Sequence, residues 1–70
     1  MKYKVQFFDK NGIEFMGTTR SFVTDGRYSL DTIKEIAIDT KNKLYNNSDI
    51  AGYNIYKNSF NNSIYKSVTL

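Results

Sequence analysis

Apolar and polar side chains alternate along residues 2–8. Tyr3, Val5 and Phe7 project one way; Lys2, Lys4, Gln6 and Phe8 project the other. A period of two, carried by aromatic and β-branched residues, predicts a half-buried strand. Asp9, Lys10, Asn11 and Gly12 follow. An Asx residue opening a type I turn, then a glycine in the left-handed region, predicts a three-residue hairpin loop with a bulge. That loop sets Asp9 opposite Ile13, Phe7 opposite Phe15 and Val5 opposite Gly17. A two-residue Asn-Gly loop would split the apolar set, because a slip of one residue moves every side chain to the other face. The second strand is expected over 13–22, and Asp25-Gly26 marks 23–28 as a loop.

The pattern then changes period. Leu30, Ile33, Ile36, Ala37, Thr40 and Leu44 fall near one stripe at helical spacing, which predicts a helix over 30–45. Ser29 is its expected N-cap. Asp31 in the first turn and Lys41 and Lys43 near the end suit the helix dipole. Asn46 and Asn47 can take the left-handed conformation that stops it.

After a connection over 48–52, residues 53–60 and 63–70 predict two more strands around an Asn61-Asn62 turn. In that register Tyr53 faces Leu70, Ile55 faces Val68 and Ser59 faces Ile64. Lys57 and Lys66 share the inward parity, so they belong at an edge, stems packed and ammonium groups in water. The order is β-β-α-β-β over a single domain, 1–70. The fold class is α+β: one four-stranded antiparallel sheet with a single helix packed on one face. The expected core is Tyr3, Val5, Phe7, Ile13, Phe15, Leu30, Ile33, Ala37, Leu44, Tyr53, Ile55 and Val68. The reverse face would show Lys2, Lys4, Gln6, Phe8, Glu14, Met16, Thr18, Arg20, Asn54, Tyr56, Asn58 and Tyr65.

Composition narrows the chemistry. The chain has no histidine, cysteine, tryptophan or proline. Imidazole and thiol perform most proton transfer, nucleophilic attack and transition-metal binding, so no catalytic residue, cofactor or metal is expected. No disulfide or ordinary structural zinc can staple the domain. No leader-like segment is expected from the short apolar run near Met1, nor any run long enough to cross a bilayer. A cytoplasmic location, with no membrane partner, follows as an expectation. The net charge is +3, mild enough to favour an anionic partner without demanding one. Asn, Lys, Ile, Tyr and Phe are the residues of AT-rich codons, which points to a low-GC bacterial origin.

Four constellations are candidates for function. The basic and aromatic reverse face (Lys2, Lys4, Phe8, Met16, Arg20, Tyr56 and Tyr65) suits a protein interface, where aromatics, methionine and arginine concentrate. It also suits base stacking with phosphates held by cations. The loop after the second strand adds Arg27 and Tyr28, both frequent hot-spot types. Asp31, Glu35 and Asp39 line the outside of the helix, where a solvated face with an Asp39–Lys43 pair is expected rather than a metal site. Asp9 and Glu14 flank the first turn and could approach one another. The glycines stand singly, so no phosphate-binding loop is present.

In size, single-domain simplicity and AT-rich composition the chain resembles small accessory proteins of phages and mobile elements. Those include anti-CRISPR-like inhibitors of bacterial defence systems. The resemblance implies a stoichiometric inhibitor, inside a bacterial cell, that blocks a host protein or nucleoprotein complex. Many such inhibitors are acidic mimics of nucleic acid, whereas this chain is basic. The expected function is therefore a small non-enzymatic binding protein. The alternatives are a nucleic-acid-binding module on the same face, or a homodimeric accessory protein.

Overall fold

A computed structural model describes residues 2–17, 20–58 and 61–70, the side chains of 58, 61 and 62 excepted. The elements are β1 (Lys2–Phe8), β2 (Ser21–Asp25), α1 (Leu30–Lys43), a 3-10 turn (Asn47–Asp49), β3 (Gly52–Asn58) and β4 (Asn61–Thr69). One antiparallel sheet runs in the order β2-β1-β3-β4, and the order along the chain is β-β-α-β-β. The α+β class and the single helix are as the hydrophobic pattern predicts. None of the helices among the described residues is long and apolar enough to cross a membrane.

The first turn closes as its sequence dictates. Asp9 Oδ1 accepts from the backbone N–H groups of Asn11 (2.8 Å) and Ile13 (3.0 Å). Gly12 N–H donates to the Asp9 carbonyl at 2.9 Å, with Gly12 at φ 79°. Asp9 N–H donates to Ile13 O, Phe8 bridges Glu14, and Phe15 N–H donates to Phe7 O. This is the expected register, but it lasts only to Phe15. The chain then leaves the sheet and re-enters when Phe7 N–H donates to Arg20 O at 3.1 Å. From there Gln6 pairs with Ser21, Val5 with Phe22 and Lys2 with Asp25.

Val5 is thus opposite Phe22, not Gly17, and the second strand is Ser21–Asp25 rather than 13–22. The excursion shifts the pairing by five residues, an odd number, so it inverts which side chains face inward. Without it Phe22 would point to solvent and Val23 to the core. With it the Phe22 ring lies 6.0 Å from the Phe7 ring, and Val23 is exposed. Gly17, at φ 81°, takes the left-handed turn that the departure requires. Thr18 lies outside the described residues.

The second hairpin pairs Tyr53 with Val68 and Ile55 with Lys66, not Tyr53 with Leu70 and Ile55 with Val68. This shift of two keeps each side chain on its expected face. It also lets Leu70 N–H donate to Ala51 O at 2.8 Å and brings Leu70 against the core. Asn58 pairs with Asn61, so the Asn61-Asn62 pair begins β4 instead of forming the turn. Ser59 and Phe60, and with them the expected Ser59–Ile64 pair, lie outside the described residues. Between Ile55 and Asn58 the register shifts twice more. Tyr65 becomes the extra residue of a bulge, and its ring sits 5.6 Å from that of Tyr3.

Helix α1 starts at Ser29, whose hydroxyl accepts from Thr32 N–H at 3.2 Å. It stops two residues early, with Leu44 extended and Asn46 left-handed at φ 59°. Ile33 and Ala37 are its buried residues. They close over Tyr3, Val5, Phe7, Tyr53 and Ile55, and Ile50, just after the 3-10 turn, joins the same cluster. Each large side chain so buried contributes about 1.5–3 kcal/mol. Two expected core residues lie outside this cluster: Ile13 is 64% exposed and Leu30 42%. Ile13 sits in the loop closure, beyond the reach of α1, and Leu30 belongs to the first helical turn. Phe15, Leu44 and Val68 are half-buried and pack on the margin.

Candidate functional site

The face of the sheet turned away from α1 consists of cross-strand rows. Gln6, Asn54 and Ser67 form one with Ser21; Lys4, Tyr56 and Ile64 form the next with Val23; Lys2 and Asp25 pair beyond. The two main rows have opposite fates.

The Gln6 row is closed at its two central residues. Gln6 is 4% exposed and Asn54 6%, although both point away from the helix. Glu14, Phe15 and Arg20, which flank the excursion, hold them there. Gln6 Nε2 donates to the carbonyls of Phe15 (2.9 Å) and Arg20 (3.2 Å), so one amide holds both feet of the excursion. Glu14 Oε2 accepts from Asn54 Nδ2 at 2.9 Å and from the Tyr56 hydroxyl. Ser67 Oγ donates to Asn54 Oδ1 at 2.7 Å. No buried side-chain nitrogen or oxygen among the described residues is left without a partner. Burial, and then the hydrogen bond and negative charge of Glu14, push the Tyr56 phenol up to about 12, with Asn54 pulling slightly the other way. Burial also raises the Tyr53 phenol.

The Val23 row is open. Val23 is 66% exposed and Ile64 51%, at opposite edges of the sheet, with exposed Lys4 and half-buried Tyr56 between them. An apolar–cation–aromatic–apolar sequence therefore crosses all four strands.

The residues expected to form one binding face divide among several places. Lys2, Lys4 and Tyr56 share the open half. Phe8 lies at the far end, its ring packed against Gly52: a Cβ added at Gly52 would collide with that ring and with the Val68 carbonyl oxygen. Tyr65 is not on this face. The bulge carries it to the helix side, beside Tyr3 and under the Lys57 ammonium, 5.1 Å from its ring centre. The Arg20 guanidinium stacks on Phe15 at 4.1 Å. Met16 is 94% exposed on the excursion, and Arg27 and Tyr28 are exposed in the loop before α1. Val23 and Ile64 escaped the sequence reading because their direction depends on the excursion and the bulge.

Asp9 and Glu14 do not meet, since Asp9 is held in its own turn and Glu14 reaches β3. Asp39 pairs with Lys43 at 2.9 Å, as expected for a solvated helix face. Among the described residues no three carboxylates gather where they could hold a metal ion. A shallow cleft of about 400 Å³ lies between the first turn and the 3-10 turn, lined by Asp9, Lys10, Asn11, Phe15 and residues 48–51.

No protein-family model matches the chain, and neither a curated protein nor a solved structure matches it at a significant level.

Proposed function

We propose that this protein is a small binding protein, without catalytic chemistry of its own, that docks a partner protein on the open half of its reverse sheet face. It acts by occupancy, in stoichiometric amounts. One observation carries the reading. Val23 and Ile64 stand in water on a face whose neighbouring row buries Gln6 and Asn54. Aliphatic groups exposed beside an aromatic ring and a cation support a docking surface there. Lys4 and Tyr56 between them supply the polar and aromatic contacts of an interface centre.

The nucleic-acid alternative loses its supporting geometry. Base stacking needs free rings beside free cations. Here the Phe8 ring covers Gly52, Tyr65 is on the other face, and the Tyr56 hydroxyl is bonded to a carboxylate that repels phosphate.

The test places a photo-crosslinking residue at Val23, at Ile64 and, on the helix, at Glu35. Protein adducts are expected from positions 23 and 64 and none from 35. Adducts from 35 alone, or none from 23 and 64, overturn the reading.

A further inference from the structure

The cleft of about 400 Å³ between the first turn and the 3-10 turn lies at the end of β1 opposite Lys2, away from the open row. Its volume falls in the range of small-ligand sites. Its floor is apolar: Ile50 is buried, with half-buried Phe15 and Ala51 beside it. Its two walls carry opposite charges. Lys10 stands on the first turn and Asp49 on the 3-10 turn, both exposed. We propose that this cleft binds a free α-amino acid with an apolar side chain. Lys10 takes the carboxylate, Asp49 takes the ammonium, and the side chain lies on the floor.

Three observations converge on this ligand class. First, the two charges are uncommitted. Asp9, the other carboxylate of the lining, is held by its own turn, where its Oδ1 accepts from the N–H groups of Asn11 and Ile13. Among the described residues the ion pair is that of Lys43 with Asp39, so Lys10 and Asp49 line one cleft without joining each other. A zwitterion bridges them through charge-assisted hydrogen bonds of about 2.8 Å at each end. A ligand of one sign would satisfy one wall and meet its own charge on the other. Second, the floor selects an apolar side chain. Ala51 N–H already donates to Phe8 O, and Ala51 O already accepts from Leu70 N–H. A polar side chain set on Phe15 and Ile50 would lose water without gaining a partner. Third, the walls are preformed. Gly12 N–H closes the first turn on Asp9 O at 2.9 Å, and the N–H groups of Asp49 and Ile50 close the 3-10 turn on Asn46 O and Asn47 O at 3.1 Å. The Arg20 guanidinium, 4.1 Å from the Phe15 ring centre, holds that ring in place. Binding therefore orders little of the protein. A shallow site with one ionic contact at each end predicts a Kd of about 1 mM.

The test is an amide NMR titration with L-phenylalanine. Saturable shifts are expected at the Asn11, Asp49 and Ala51 amides and none at Lys4 or Tyr56. L-phenylalaninamide lacks the carboxylate and N-acetyl-L-phenylalanine lacks the ammonium, so they stand for the first and last residues of a peptide. Each is expected to bind about fivefold more weakly or worse. Lys10→Gln should weaken L-phenylalanine by a similar factor and leave the amide unaffected. Asp49→Asn should weaken L-phenylalanine and leave the N-acetyl compound unaffected. Both positions are exposed, and an unchanged thermal melt shows that each variant folds. No saturation by about 50 mM overturns the proposal, and so does L-serine binding as tightly as L-phenylalanine. Either derivative binding as tightly as the free amino acid also overturns it and assigns the cleft to a peptide terminus. Shifts confined to Lys4 and Tyr56 overturn it too. Crosslinking from positions 23 and 64 reads a different surface, so this site and the docking face stand or fall separately.

Discussion

The carboxylate of Glu14 accepts a hydrogen bond from the hydroxyl of Tyr56, forty-two residues further along the chain. The same oxygen accepts from Asn54. One side chain from the end of the first hairpin therefore bridges across β1 to two residues of β3. Glu14→Ala removes the acceptor and leaves the nearly buried Asn54 amide unsatisfied. A loss of about 1–3 kcal/mol is expected, read as a lower urea midpoint. Glu14→Gln keeps an acceptor without the charge and should lose less. An alanine variant as stable as the wild type would show that the bridge contributes nothing.

Tyr56 sets an alkaline limit. Its phenol is pushed up to about 12 in the folded protein, while tyrosine in an unfolded chain titrates near about 10. The folded state holds the proton more tightly, so the contribution is complete below about pH 10 and is lost as pH rises through about 12. Tyr56→Phe should flatten this part of the stability curve. The difference in near-ultraviolet tyrosinate absorbance between wild type and variant should show a midpoint near about 12. A midpoint near about 10, the ordinary phenol value, would mean that neither burial nor Glu14 acts on the group.

Gly52 is confined by what lies on it. A methyl group there would meet both the Phe8 ring and the Val68 carbonyl oxygen. Gly52→Ala is expected to destabilise by about 1–3 kcal/mol through overpacking. Adding Phe8→Ala should not restore stability, because the backbone oxygen of β4 remains in the way. Full recovery in the double variant would place the whole conflict on the ring.

Gln6 tests the excursion. Gln6→Leu leaves the Phe15 and Arg20 carbonyls without their side-chain donor, with an expected cost of about 1–3 kcal/mol. Hydrogen exchange should quicken at the Phe7 and Phe15 amides, which close the two feet of the excursion. The Ile33 amide, bonded to Ser29 O inside α1, should slow or quicken only with global stability. Equal acceleration at all three would mean that Gln6 acts on the whole fold and not on the excursion.

Much of this architecture is legible in local signals. Asp9 and Gly12 specify their turn, Ser29 caps the helix, and the alternation from Tyr3 to Phe7 identifies the inner face of β1. Each of these depends on residues within a few positions of one another. The candidate site is legible only in part. Lys4 and Tyr56 belong to regular segments of β1 and β3, so their outward direction follows from parity alone. The directions of Val23, Ile64 and Tyr65 follow from how many residues are inserted before them. Insertion length has no periodic signature.

The amino-acid order by itself determined the element types and their sequence, because helix and strand periods and turn residues are local properties. Tertiary structure alone decided the phase of β2, the bulge at Tyr65 and the closing of half the reverse face. Those choices rest on Phe22 reaching Phe7, Leu70 reaching the core and Glu14 reaching Asn54 and Tyr56, contacts between residues far apart in the chain whose energies outweigh the uninterrupted ladder.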